Sequence, residues 1–192
     1  QCRASSEEFL IELRRICDQN NIILIFDEVF SGWGKTGYLF NFMKCENLYP
    51  DILTMSKSFG GGKASISCYV TRDKIFNAVY GSAKTATKHS STYSGFGEET
   101  ITAIEAIRIV VEENYPHKVR KIDTYMTSRL QEIKNKYPKI IKEVRGEGTL
   151  KCLVLLPQFE FVQKLIKAIP IENIKNKSEI ISKIVGASII EE

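Results

Sequence analysis

A run of five consecutive apolar residues, Ile22 to Phe26, closes on two acids, Asp27 and Glu28. A strand that is apolar at every position has no polar face to offer water, so this run predicts a strand buried on both faces of a parallel sheet. Upstream, Ser5-Ser6-Glu7-Glu8 carries the S-x-x-E pattern of a capping box. Phe9, Leu10, Leu13 and Ile16 then recur at helical spacing, predicting an amphipathic helix that ends near Asn20-Asn21. Downstream come a glycine-punctuated loop from Ser31 to Gly37, a second short strand at Ile52–Met55, the triple glycine Gly60-Gly61-Gly62 and a third strand between Ser65 and Thr71. Helices are expected from Lys74 to Tyr80, from Glu98 to Asn114 and from His117 to about Lys136. Val144 and the stretch Leu150 to Leu155 read as two strands of a separate small sheet. From Gln158 onward isoleucine and lysine alternate with helical periodicity, broken at Pro170 and Gly186. Strands alternating with helices make this an α/β chain, and open sheets of that class bind ligands at the carboxyl ends of their strands. That rule points at Asp27 and Lys57.

Composition narrows the classes of function. With 192 residues, 43% of them apolar and 26% charged, the chain resembles an ordinary globular domain and neither a disordered nor a disulfide-scaffold sequence. The formal charge of +4 comes from lysines scattered among glutamates rather than gathered into a stripe, so nucleic acid is not implied. Five widely spaced cysteines without a C-x-x-C pair suggest neither a disulfide framework nor a zinc site, and two histidines give little for any other metal. An intracellular, reducing compartment, the cytoplasm, is the expectation. No secretory leader is read at the start, and no apolar run approaches the ~20 residues of a membrane span.

Asp27 follows a run with no polar atom to spare, so its carboxylate needs a cation or several donors. Capping the next helix and serving a ligand are equally open. Glu28 points the other way along the strand, and solvation or a salt bridge is expected for it. Lys57 ends the second strand beside flexible glycines, where an exposed loop lysine and a nucleophile for carbonyl groups are both open readings. A phosphate loop is excluded: five residues before Gly62 stands Lys57 rather than glycine, and Lys63 is followed by Ala64 rather than a hydroxyl.

The motifs taken in order are more specific than any one of them. Asp27-Glu28-Val29, then Gly32-x-Gly34-Lys35-Thr36-Gly37, then Pro50-Asp51-Ile52-Leu53-Thr54-x-x-Lys57 with Gly60-Gly61-Gly62, then His89-Ser90-Ser91-Thr92-Tyr93-x-Gly95, resemble the class III aminotransferases, pyridoxal-phosphate enzymes of fold type I. The resemblance runs from about Phe9 to Arg145-Gly146-Glu147-Gly148. It implies an α/β fold: part of a fold type I large domain, its mostly parallel sheet flanked by helices, over residues 1–142. The start of a small α+β C-terminal domain is implied over 143–192.

By the same resemblance Lys57 is the Schiff-base lysine, and Asp27 is the partner of the pyridine nitrogen. Val29 packs on a face of the cofactor ring, and Thr92 reaches the phosphate held by the neighbouring subunit of a homodimer. An aspartate against the ring nitrogen keeps it protonated, a charge-assisted bond worth roughly 1.5–3 kcal/mol. The implied reaction moves an amino group from an amine or amino acid to an oxo acid or aldehyde. An aminomutase of the same family, or a catalytically incomplete chain serving as a binding module, are the alternatives. Four positions depart from the pattern: Phe30 stands where many members carry glutamine, Lys35 where arginine is usual, and Glu98-Glu99 where Asn-Pro is usual. The two acids are expected to face solvent.

Overall fold

The computed structural model describes residues 2–89 and 91–156. The expected helical tail beyond Gln158, with its breaks at Pro170 and Gly186, and most of the expected C-terminal domain lie outside the described residues. Helix α1 spans Glu7–Gln19 and ends at Asn20, with Asn21 following at φ 53°. Its cap is Ser6, whose side chain accepts from Phe9 N at 3.2 Å. The S-x-x-E pattern is therefore read one residue off: the position three after the cap is Phe9, and Glu7 and Glu8 instead occupy the first turn, where the helix dipole favours acids.

Strand β1 (Ile25–Asp27) pairs in parallel with β2 (Ile52–Met55), and β2 pairs antiparallel with β3 (Cys68–Thr71), giving the order β1-β2-β3. The register sets Asp27 opposite Thr54 and Met55 opposite Cys68. The carboxyl ends of β1 and β2 and the amino end of β3 therefore share one end of the sheet.

The expectation that the run Ile22 to Phe26 is buried on both faces is corrected. Ile22, Ile23 and Ile25 are each more than half exposed, and within the run only Leu24 is buried. β1 is the edge of this sheet, so among the described residues one side of it has no strand to cover it.

Helices α2 (Asp73–Tyr80), α3 (Gly97–Glu112) and α4 (Tyr115–Lys136) follow, then a two-stranded sheet of β4 (Ile141–Glu147) and β5 (Leu150–Leu155). None of the described helices is long and apolar enough to cross a membrane. The chain divides into two compact units, Gln1–Arg129 with Arg145–Cys152, and Leu130–Val144 with Leu153–Glu192. Every candidate site residue belongs to the first.

The core of that unit joins Trp33, Leu53, Met55, Phe59 and Ala103, with Phe40, Ile66 and Ile107 packed around them. Trp33 stacks on Phe59 with centroids 5.4 Å apart and meets Phe40 edge-on at 5.2 Å. Helix α3 packs on the 3-10 turn Lys57–Gly60, and small residues make the approach possible: a Cβ on Gly61 would stand 2.9 Å from that of Ala106. The core thus braces the turn in which Lys57 sits.

Candidate active site

Asp51 sets the register from which the site is built. It stands just before β2, and its Oδ2 accepts from Leu24 N at 2.9 Å and from Arg14 Nη1 of α1 at 2.8 Å. Arg72, at the end of β3, approaches its other oxygen at 3.3 Å. Burial alone would raise the Asp51 carboxyl, but the Leu24 N–H and the two guanidinium groups outweigh it and hold the group below the ordinary aspartate range. One carboxylate therefore ties α1, the approach to β1 and both neighbouring strands. The signal was present, an acid abutting an apolar strand in Pro50-Asp51-Ile52-Leu53, though no role could be read from it.

At the other end of β1, Asp27 is exposed and its Oδ1 accepts from Val29 N at 3.0 Å. This is a turn contact two residues ahead rather than the cap of a helix, and it leaves Oδ2 free of any protein hydrogen bond among the described residues. Glu28 departs from expectation. It is 4% exposed and neither solvated nor in a salt bridge: Oε1 accepts from Phe42 N at 2.9 Å, and Oε2 takes the Ser31 hydroxyl. Its own carbonyl accepts from Gly32 N at 2.9 Å. A buried carboxylate is tolerable when donors surround it, and here those donors belong to the loop that follows. Glu28 holds that loop, and thereby Val29 and Phe30, against the strand end.

The loop is also fastened from far along the chain. Lys35 O accepts from both the N–H and the hydroxyl of Thr149, at 2.8 and 3.1 Å. Gly148 makes this approach possible, because a Cβ there would lie 2.1 Å from the same oxygen. The Lys35 side chain is half-buried and donates to Gly32 O at 3.2 Å. Burial and the nearby charge of Lys57 push its ammonium below the ordinary lysine range, against the pull of Glu28.

Lys57 is exposed, follows β2 directly and has φ 50°, a left-handed conformation that costs a side-chain-bearing residue about 1–2 kcal/mol. Its Nζ lies 5.7 Å from the centroid of the Phe30 ring. The structure thus brings Asp27, Val29, Phe30 and Lys57 to one end of the sheet, on neighbouring parallel strands and the turn between strand and loop. Asp27 and Asn41 also line a small cavity of about 200 Å3.

Thr92 is placed apart from them. It is exposed on the turn before α3, and no described contact joins it to Asp27, Val29 or Lys57. Of the two acids that begin α3, Glu98 is exposed as expected, whereas Glu99 is half-buried with Oε2 shielded from solvent and without a hydrogen-bond partner among the described residues.

A carboxylate oxygen left free, an apolar side chain and a primary amine, all at one sheet end, suit a cofactor with a ring nitrogen, two flat faces and an aldehyde. Comparison with known proteins agrees. Residues 2–177 match the model of the family described as aminotransferase class-III. The acetylornithine aminotransferase of Agrobacterium fabrum is 35% identical over 164 residues, which cover 85% of this chain and 39% of that protein. An uncharacterised aminotransferase of Schizosaccharomyces pombe is 30% identical over 158 residues, covering 81% and 32%. The chain therefore spans well under half the length of these relatives. Among solved structures, the ornithine aminotransferase of Toxoplasma gondii, described with pyridoxal phosphate at partial occupancy in its active site, superposes with a TM-score of 0.72 at 26% identity, covering 81% of this chain and 35% of that one. The sheet and helices described above are thus part of a fold type I large domain, and the chain belongs to the class III aminotransferase family.

Proposed function

We propose that the protein containing this chain is a pyridoxal-phosphate-dependent aminotransferase that moves an amino group from an amine or amino acid to an oxo acid or aldehyde. The observation that carries the reading is the placement of Asp27 and Lys57 on adjacent parallel strand ends, in a chain that matches the family over most of its length.

Each residue has a role that its chemistry allows. Asp27, with one oxygen occupied by Val29 N, offers the other to the ring nitrogen and holds a proton there. Val29 presents an apolar side chain to the ring face, where a polar one would be desolvated without a partner. Lys57 would hold the cofactor through Nζ, and its amine, when free, would serve as the base that takes and returns the substrate proton. When bound, the cofactor supplies the electron sink for the carbon that loses its proton. The Thr92 hydroxyl donates to the phosphate held by the neighbouring subunit, which makes the working unit a homodimer. The proposed setting is the cytoplasm, and the proposed small C-terminal domain begins near residue 143.

The test is the full-length protein with added cofactor. A visible absorbance band that shifts on adding an amine, together with amino transfer to pyruvate or 2-oxoglutarate over a panel of donors, is the expected result. A protein that binds no cofactor and transfers nothing overturns the reading.

A further inference from the structure

Helix α3 opens on two acids, and successive residues of a helix point about 100° apart. Glu98 is exposed, whereas Glu99 turns inward, its Oε2 shielded from solvent and without a hydrogen-bond partner among the described residues. Glu99 lines a cavity of about 640 Å3 whose walls also include Ser67, His89, Tyr93 and Phe96. The Thr100 hydroxyl, on the same wall, is directed elsewhere and donates to Phe96 O at 2.9 Å. A carboxylate oxygen shielded from water is normally paired, so an unpaired one beside a cavity marks a place where a donor belongs.

The walls indicate what kind of donor. No lysine or arginine stands among the described residues that line the cavity, and His89 lies edge-on to Tyr69 with no described bond to Glu99. The unmatched charge is therefore negative, and its partner is a cation. The rings decide which kind. Tyr93 and Phe96 are 78% and 48% exposed, and their centroids stand 5.8 Å apart with the planes tilted by 37°. Aromatic faces attract a cation and also cover apolar surface, so this pair suits an ammonium that bears carbon groups. A bare metal ion fits less well: no cluster of three metal-ligating side chains occurs among the described residues. The lone pairs of the shielded oxygen favour an ammonium that keeps at least one N–H, since only that can donate to it.

We propose that this cavity is a binding site for a small alkylammonium cation, with Glu99 as its counter-ion and Tyr93 and Phe96 as the aromatic walls for its carbon groups. Asp27, Val29 and Lys57 are not among the lining residues, and the inference does not rest on the aminotransferase reading.

The experiment uses the full-length protein with cofactor and three probes of similar shape: trimethylammonium, tetramethylammonium and tert-butanol. Trimethylammonium carries one N–H and, as a tertiary amine, cannot form an imine, so its binding is read without any reaction. Tetramethylammonium keeps the charge and loses the N–H, and tert-butanol loses the charge. Saturation-transfer NMR on the methyl signals, followed as a titration, gives the affinity of each. Saturable binding of trimethylammonium is expected, with tetramethylammonium weaker and tert-butanol weaker still. Glu99→Gln, which keeps the side chain's size, should weaken trimethylammonium about tenfold or more. Tyr93→Leu and Phe96→Leu should each weaken it about threefold. Glu98→Gln, on the neighbouring exposed acid, should leave it unchanged. Trimethylammonium that fails to bind the wild type, binds Glu99→Gln equally well, or is weakened as much by Glu98→Gln overturns the assignment. A protein that transfers no amino group yet binds trimethylammonium through Glu99 loses the aminotransferase reading and keeps this one.

Discussion

The Lys57 ammonium lies over the Phe30 ring, Nζ 5.7 Å from its centroid. A cation at that distance from an aromatic face gains about 0.5–1 kcal/mol when exposed, enough to bias where the side chain rests without fixing it. The pair joins the turn after β2 to the loop after β1, so the lysine is directed toward the strand that bears Asp27.

Lys57 is accordingly expected to be the residue that bonds pyridoxal phosphate. Borohydride reduction of the full-length protein with cofactor, followed by peptide mapping, should place the pyridoxyl group on Lys57. Label on Lys35 or Lys63 instead would sink the assignment.

Asp27→Asn removes the charge offered to the ring nitrogen and keeps the side chain's size. Cofactor binding should persist, while the half-reaction with an amino donor slows at least about 10- to 100-fold, the rate equivalent of 1.5–3 kcal/mol. Stopped-flow rates equal to those of the wild type would contradict the role.

Asp51 predicts an acid dependence of stability. Its carboxyl is held below the ordinary range in the folded state, so its contribution is present in full above the unfolded value of about 3.9 and is lost as the pH falls from there through the lower folded value. Asp51→Asn should cost about 2–4 kcal/mol at pH 7 and lessen the loss of stability below about pH 4. Urea melts of both proteins between pH 3 and pH 7 measure this, and parallel curves would refute it.

If Thr92 serves the neighbouring subunit, cofactor and subunit should be lost together on dilution. Sedimentation of the full-length protein with absorbance detection of the cofactor follows both at once. A monomer that keeps its cofactor in full would exclude the cross-subunit contact.

The order of elements and the gathering of Asp27 and Lys57 at one end of the sheet were legible in the sequence because apolar runs, glycines and strand-end residues are local signals. What was not legible depends on partners far away in the chain. Glu28 reads as a solvated or salt-bridged acid until Phe42 N and Ser31 close over it, and Asp51 has no readable role until Arg14 and Leu24 arrive. The run Ile22 to Phe26 has the composition of a central strand, and composition records what a segment can tolerate rather than how many neighbours cover it.

The bonds from Thr149 to Lys35 O span 114 residues of sequence. A loop fastened over such a separation cannot be completed until Thr149 has been added: the strand ends and Lys57 leave the ribosome well before Gly148 and Thr149 exist to close over them. During synthesis the glycine loop stays open for the time it takes to add those residues. The loop would thus gain its closed geometry only after Thr149 is in place, when the core around Trp33 and Phe59 can already have formed.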